Sequence, residues 1–209
     1  MIVIDDHPIV REGITQFLNL HDKFHVCCSA ASIREALTAS DQCDHDLAIV
    51  DLSLKEESGL DLVRALRASH PEVKILVLSM HDESIVAIRA LQAGAHGYLM
   101  KQEGTKNILV AVEELLSGNC YMSKSVQQHI AQGMVSPGTR RISAVVALSE
   151  REFTVLQLIG MGLGTREISE RLNRSVKTIE AHRANIKEKL GLKSGQELVR
   201  YAIQMLDAG

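Results

Sequence analysis

Apolar residues gather into five short, uninterrupted runs bounded by polar turns: Met1 to Ile4, Phe24 to Cys28, Leu47 to Val50, Ile75 to Leu78 and Gly97 to Leu99. Each is strand-sized. Between them apolar positions fall at every third or fourth residue, as in Ile85, Ile88, Ala90 and Leu91, and again in Ile108, Val112, Leu115 and Leu116, which is helical spacing. Strand and helix alternate five times. The prediction is an α/β unit over residues 1–118: an open, doubly wound sheet of five parallel strands covered by helices on both faces, since strands buried on both sides read as continuous apolar runs. Ligands then bind outside the carboxyl ends of the strands.

After Ser117-Gly118-Asn119 the pattern loosens, and Gln132 to Thr139 holds Gly133, Pro137 and Gly138 with no periodicity. Residues 119–144 are expected to be a linker with a short helix over Lys124 to Ala131. From 145 to 209 the spacing predicts an all-α unit of four helices. Ser149 and Glu152 form a capping-box pattern ahead of Phe153, Leu156 and Ile159, with Gly160-Met161-Gly162 as the stop. A second helix runs from Thr165 through Ile168 and Leu172, and Asn173-Arg174 makes the turn. The third starts at the cap Ser175 and reaches Leu190 before Gly191. The fourth runs from Ser194, with Glu197 three residues on, to about Met205.

Polar residues follow the predicted strands one after another: Asp5 and Asp6, then Asp51, Ser79 and Lys101. In a parallel sheet all five share one edge. An Asp pair alone is more often a turn or a helix cap, but five such residues at successive strand ends make that reading weak. Three carboxylates forced together repel one another, and an all-oxygen cluster suits a divalent cation, Mg²⁺ in particular.

The segments IDDH, IVDLSL, VLSM and GAHGYLMK resemble the receiver domain of bacterial two-component response regulators, over about residues 1–118. The resemblance implies a flavodoxin-like fold in which Asp51 accepts a phosphoryl group from a histidine kinase. It further implies that Asp6 and Asp51 hold Mg²⁺ with the main-chain carbonyl of Ser53, and that Asp5 acts mainly through water. Phosphoryl transfer independently calls for a metal and a cation, the roles of Mg²⁺ and Lys101. Ser79 offers a hydroxyl to the new phosphoryl group, and Tyr98 resembles the family's aromatic switch residue. Two departures stand out. Lys55 replaces the usual proline four residues after the acceptor. The chain also starts at its first strand without the few leading residues of relatives, which leaves the completeness of the N-terminus open.

On a helical wheel the third C-terminal helix groups Ile179, Ile186 and Leu190 on one side, with Val176 and Arg183 at the border. Lys177, Ala181, Ala184 and Glu188 face the other way, flanked by Glu180 and Asn185. Small residues at the centre of an exposed face let a helix sit deep in the DNA major groove. There alanine meets a thymine methyl, Glu180 accepts from cytosine and Asn185 pairs with adenine. An ordinary solvated helix explains the same face equally well from this helix alone. The run from Leu148 to Leu192 is similar to the LuxR-type helix-turn-helix, covering about residues 145–207. The similarity implies a two-helix unit from Thr165 to Ala184, with Lys177, Thr178, His182, Arg183 and Lys187 on phosphates or bases and the fourth helix as a dimer surface. His182 lies beside the core, so packing combined with a phosphate contact suits it better than base reading. Relatives often carry a basic residue where this chain has Glu180.

Charge supports the division. Residues 1–139 hold 11 Lys and Arg against 18 Asp and Glu, and residues 140–209 hold 12 against 8, so the second part is the one suited to nucleic acid. No stretch approaches the roughly 18 apolar residues of a membrane span, and a cytoplasmic location is expected. Cys27, Cys28, Cys43 and Cys120 show no CxxC spacing, and all four are expected to be reduced. The expectation is therefore a NarL/FixJ-type response regulator, a homodimer on promoter DNA when phosphorylated by its cognate sensor histidine kinase. An aspartate-nucleophile phosphatase would want a second acid two residues after Asp51, where Ser53 stands, so no enzyme is expected. The alternative is a transcription regulator that works without phosphorylation.

Overall fold

The computed structural model describes residues 1–52, 54, 58–80, 84–123, 126–127, 145 and 148–207. The Ser53 carbonyl, Lys55 and most of the short helix expected over 124–131 lie outside the described residues. The chain divides into two compact units, Met1–Ile130 and Ala131–Gly209.

In the first unit strands and helices alternate in the order β1 (Ile2–Ile4), α1 (Pro8–Asn19), β2 (Cys28–Ala30), α2 (Ile33–Gln42), β3 (Leu47–Asp51) and α3 (Gly59–Ser69). There follow β4 (Lys74–Ser79), α4 (Ser84–Ala93), β5 (Gly97–Met100), a 3₁₀ turn (Lys101–Glu103), α5 (Thr105–Leu116) and β6 (Tyr121–Met122). The strands form one sheet in the order β2-β1-β3-β4-β5-β6, with every pairing parallel. The apolar runs behave as read: Leu47, Ala48, Ile49 and Val50 are all fully buried. Residues pointing to one face, such as Val3, Leu47, Ile49 and Leu76, pack with Leu18 of α1 and Val112 and Leu115 of α5. Each such side chain contributes roughly 1.5–3 kcal/mol of burial.

The chain leaves β1 toward β2 on one side and returns to the other side for β3, so the direction of winding reverses between β1 and β3. A crevice opens there at the carboxyl ends of the strands. Register sets the row of polar residues along it. Ile4 pairs with Val50, Asp51 with Leu78 and Ser79 with Met100, so Asp5, Asp51, Ser79 and Lys101 emerge within a residue or two of one line.

Three features differ from the sequence expectation. The sheet has a sixth strand, with Tyr121 opposite Gly97 and Met122 opposite Tyr98, so the unit runs on past residue 118. Two residues carry no periodicity of their own; β6 exists because α5 returns the chain beside β5. The second strand begins at Cys28 rather than Phe24, because only there does the ladder to Ile2 start. Upstream the Val26 amide donates to Asn19 Oδ1 at 2.8 Å, while Phe24 packs against the core from a loop. The third difference is chemical: Cys28 and Cys43 are joined by a disulfide, leaving Cys27 and Cys120 free. The β2–α2 crossover brings the end of α2 under the start of β2, a proximity that residues 15 apart in sequence do not announce.

Gly59, the first residue of α3, allows that helix to start against the end of β3. A Cβ there would lie 2.5 Å from the Asp51 carbonyl oxygen and 2.6 Å from Leu52 Cα, both backbone atoms with little room to retreat. Gly59→Ala is expected to cost about 1–3 kcal/mol by overpacking, measured by urea denaturation of the full chain; wild-type stability would show that the β3–α3 loop gives way freely.

The second unit consists of α6 (Glu150–Gly160), α7 (Thr165–Arg171), α8 (Val176–Leu190) and α9 (Gly195–Asp207). Their ends follow the sequence signals. The Glu152 amide donates to Ser149 Oγ at 3.3 Å and the Ser149 amide donates to Glu152 Oε2 at 2.7 Å, closing the capping box. Ser175 accepts from the Thr178 amide at 3.1 Å, Asn173 turns the chain at φ 50°, and Gly191 ends α8 in the left-handed region at φ 67°. Glu197 departs slightly: its carboxylate accepts from the Lys193 amide rather than from Ser194. Leu156, Ile159, Ile168, Ile179, Ile186 and Leu198 form the buried interior.

Glu152 does a second task. It is 3% exposed, and Lys189 of α8 donates to its Oε2 at 2.7 Å. Burial opposes its charge, but Lys189 and Ser149 outweigh burial and hold the carboxyl below its usual range. A depressed carboxyl contributes stability that is present above its unfolded pKa and lost as pH falls through the folded one. Lys189→Met should therefore lower the opening free energy of α6 and α8 amides by about 1–3 kcal/mol at neutral pH, read by hydrogen exchange on the full chain. The gap to wild type should shrink once the pH drops below the carboxylate range.

Candidate functional site

The crevice at the carboxyl edge of the sheet holds a compact charge cluster. Asp5 follows β1, Asp51 ends β3, and both are 1% exposed. Lys101, which follows β5, reaches between them: its Nζ lies 2.7 Å from Asp5 Oδ2 and 2.8 Å from Asp51 Oδ2. Burial works against that ammonium, but hydrogen bonds and attraction from Asp5 and Asp51 outweigh it and raise its pKa above the usual lysine value. Lys101 is charged at every physiological pH. Ser79, at the end of β4, is also buried along this edge.

The balance is uneven. Asp5, Asp6 and Asp51 bring three negative charges and Lys101 one positive, which leaves a surplus of two. Asp5 spends its second oxygen locally, with Oδ1 accepting from the His7 amide at 2.8 Å. Asp6 is different. Its carboxylate is nearly buried, its Oδ1 faces His7 Nδ1 at 2.8 Å, and its Oδ2 is buried without a hydrogen-bond partner among the described residues. Oxygen atoms of Asp5, Asp6 and Asp51, together with a ring nitrogen of His7, lie within 4.8 Å of one another. A buried, unpartnered carboxylate oxygen beside two further carboxylates is what a hard divalent cation requires of a protein. The donor set fits Mg²⁺.

All five polar residues singled out from the sequence thus meet along one edge. Tyr98 is fully buried within β5. Sequence reading assigned nothing to His7, Arg11 or Gly59. His7 caps α1 and faces both Asp5 and Asp6, and its only signal was its place directly after the Asp pair. Arg11, one turn into α1, donates through Nη1 to the Asp5 carbonyl at 2.6 Å. That bond ties α1 to the backbone at the end of β1.

In the second unit α8 buries the centre of the apolar side expected from its wheel, while Leu190 is half-buried and Val176 is exposed. Ile179 and Ile186 are fully buried, while Lys177, Glu180, Ala181, Ala184, Asn185 and Glu188 are exposed. Thr165, Thr178, His182 and Lys187 are half-buried at the margins. Arg183 turns aside. It is half-buried, burial lowers its pKa, and with Ser194, Val199, Arg200 and Ile203 it lines a groove between α8 and α9 of about 640 Å³. On α9, Val199 and Ile203 are 37% and 41% exposed.

Comparison with known proteins agrees with both halves of this description. Residues 1–113 match the response regulator receiver domain, and residues 146–202 match the luxR family of bacterial regulatory proteins. The oxygen regulatory protein NreC of Staphylococcus aureus is 35% identical over 209 residues, covering 98% of this chain and 96% of NreC. Among solved structures, the Salmonella typhimurium RcsB response regulator is 27% identical with a TM-score of 0.67, over 98% of this chain and 96% of that one. RcsB from Salmonella enterica serovar Typhimurium, bound to promoter rprA in the presence of the phosphomimetic BeF3⁻, is 26% identical with a TM-score of 0.64, over 97% and 96%. A LuxR-family two-component response regulator from Aurantimonas sp. SI85-9A1 is 32% identical with a TM-score of 0.61, over 65% of this chain and 96% of that one. Sheet order, carboxylate cluster, helix-turn-helix and relatives lead to one conclusion: the chain belongs to the DNA-binding response regulators of two-component systems, with a receiver followed by a LuxR-type helix-turn-helix.

Proposed function

We propose that Asp51 is the phosphoacceptor, and that its phosphorylation by a cognate sensor histidine kinase promotes homodimeric binding to promoter DNA and so controls transcription. The observation that carries the reading is Lys101 Nζ seated between Asp5 and Asp51 beside the unpartnered Oδ2 of Asp6. In the reaction an Asp51 oxygen attacks the phosphorus of a phosphohistidine, the N–P bond breaks as the O–P bond forms, and the imidazole leaves. Lys101 follows the charge from the carboxylate to a phosphoryl oxygen. Ser79 donates its hydroxyl to another phosphoryl oxygen, and Tyr98 repacks in response, which couples the pocket to the far face of β5. Asp6, Asp51 and the Ser53 carbonyl would hold Mg²⁺, with Asp5 acting through water. When bound, the cation neutralises charge on the transferring group.

On the DNA side α8 is the reading helix. Ala181 and Ala184 allow close approach, and Glu180 and Asn185 reach base edges. Lys177, Thr178, His182 and Lys187 hold phosphates, joined by Thr165 from α7. Arg183 belongs to this set only at its margin, since it lies toward α9. The α8–α9 groove, with exposed Val199 and Ile203, is the dimer surface. Among the described residues no helix is long and apolar enough to cross a membrane, which is consistent with a cytoplasmic DNA-binding protein.

Asp51→Ala is expected to abolish labelling by acetyl phosphate with Mg²⁺, whereas Lys101→Ala should keep Mg²⁺ binding and lose phosphorylation-dependent dimerisation. Intact-mass analysis and light scattering measure the two; a labelled Asp51→Ala chain would refute the assignment. For DNA, Lys177→Ala should weaken binding to all sequences alike and flatten the salt dependence by about one unit. Glu180→Ala should instead relax discrimination at one base pair by about 1–3 kcal/mol and raise non-specific affinity, since a negative charge leaves the groove. An unchanged consensus in binding-site selection would remove Glu180 from the reading set.

A further inference from the structure

Three of the four cysteines meet at the amino-terminal edge of the sheet, the end opposite the carboxylate pocket. Cys28 opens β2 beside Ile2, Cys27 precedes it, and Cys43 caps the carboxyl end of α2. Their sulfurs lie within 4.8 Å of one another. Cys28 and Cys43 are bonded, and Cys27 Sγ stands 3.6 Å from Cys28 Sγ. Cys27 is a free, half-buried thiol whose S–H faces the carbonyls of Met1 at 3.3 Å and Asp44 at 3.7 Å. A thiol beside a disulfide is the arrangement through which bonds of this type exchange. Cys120 is exposed beside β6, at the opposite edge of the sheet, and serves as an internal comparison.

We propose that Cys28 and Cys43 are a reversible oxidation site for hydroperoxides, and that Cys27 is the thiol that exchanges with their bond. One of the pair, as thiolate, attacks the distal oxygen of the peroxide. The O–O bond breaks, leaving a sulfenic acid on sulfur, and the departing hydroxide or alkoxide takes up the proton the thiol had lost and leaves as water or an alcohol. The second thiol then displaces the hydroxyl, water leaves and the S–S bond forms, so two electrons pass from the cysteines to the peroxide. For reopening, the Cys27 thiolate attacks one sulfur of the bond and releases the other as thiolate, and two molecules of a small thiol complete the reduction as they become a disulfide. Half-burial of all three sulfurs admits a small peroxide while keeping larger proteins away. Joined cysteines leave Cys27 alone as a thiolate ligand, which argues against a resident soft metal in this state. In a reducing compartment a bond of this kind is transient or redox-sensing. It would tie the β2–α2 crossover to the sheet and leave the phosphoacceptor edge untouched.

The test treats the fully reduced full-length chain with stoichiometric hydrogen peroxide, followed by alkylation and peptide mapping. A peptide joining Cys43 to the segment bearing Cys28 is expected, two hydrogens lighter, with Cys120 alkylated and the link reversed by glutathione. Cys43→Ser and Cys43→Ala should both lose the link and Cys120→Ser should keep it. Cys27→Ser should form it but reverse several-fold more slowly, while acetyl-phosphate labelling remains at the wild-type rate in every variant. Oxidation of Cys120 ahead of the cluster, a link that survives loss of Cys43, or reversal of Cys27→Ser at the wild-type rate would each overturn the proposal. A reduced chain that retains stoichiometric zinc or copper and resists peroxide would do so too, reassigning the sulfurs to a metal.

Discussion

Lys101 holding Asp5 and Asp51 is the contact on which the first unit turns. Two carboxylates that are 1% exposed cannot both stay ionised side by side in a low-dielectric crevice without a cation beside them. The lysine that supplies it arrives 96 residues after Asp5. For that to happen β5 must lie in the same sheet, run in the same direction and end at the same level as β1 and β3. Parallel pairing through β4 meets all three conditions. The same sheet leaves two negative charges in excess, and that surplus makes the pocket a place for chemistry as well as an internal ion pair.

Much of this was legible in the sequence because it depends on local rules. Buried parallel strands advertise themselves as apolar runs, and the residue after each run falls at the carboxyl edge, so Asp5, Asp51, Ser79 and Lys101 could be placed together before any coordinate was known. Helix ends were equally plain: Ser149 with Glu152 and Ser175 cap through their side chains, and Gly191 ends α8 by its left-handed backbone. What escaped reading depends on neighbours distant in sequence. Tyr121 and Met122 are a strand only because β5 is beside them. Cys28 and Cys43 meet only because a crossover folds back, and Gly59 matters only because Asp51 and Leu52 pass within 3 Å of where its side chain would be.

The second unit shows a different division of labour. In α8 one helix must bury Ile179 and Ile186 while keeping a polar, small-residue face in solvent, and its fifteen residues give just over four turns for both tasks. Arg183 sits where the two faces meet. A wheel places it at the border and cannot decide its side; packing against α9 does, drawing its stem into the groove with Val199 and Ile203. Glu152 solves a similar conflict for α6. One of its oxygens both caps the helix start and anchors Lys189 from the end of α8, so capping and tertiary packing share one buried carboxylate.

The two ends of the receiver sheet carry opposite chemistry. Hard oxygen donors of Asp5, Asp6 and Asp51 crowd the carboxyl edge. Sulfur gathers at the amino edge, where the chain is pinned by backbone bonds such as Cys27 N–H to the Met1 carbonyl at 2.9 Å. Between them lie the fully buried centres of β1, β3 and β4, packed too densely to deform gradually. A change at either edge is therefore transmitted only by elements that run along the sheet's faces. Of these α2 is joined to the sulfur cluster at its last turn, whereas α1 starts at the acidic pocket through His7. The separation gives each edge its own helix, and with it the means to respond without disturbing the other.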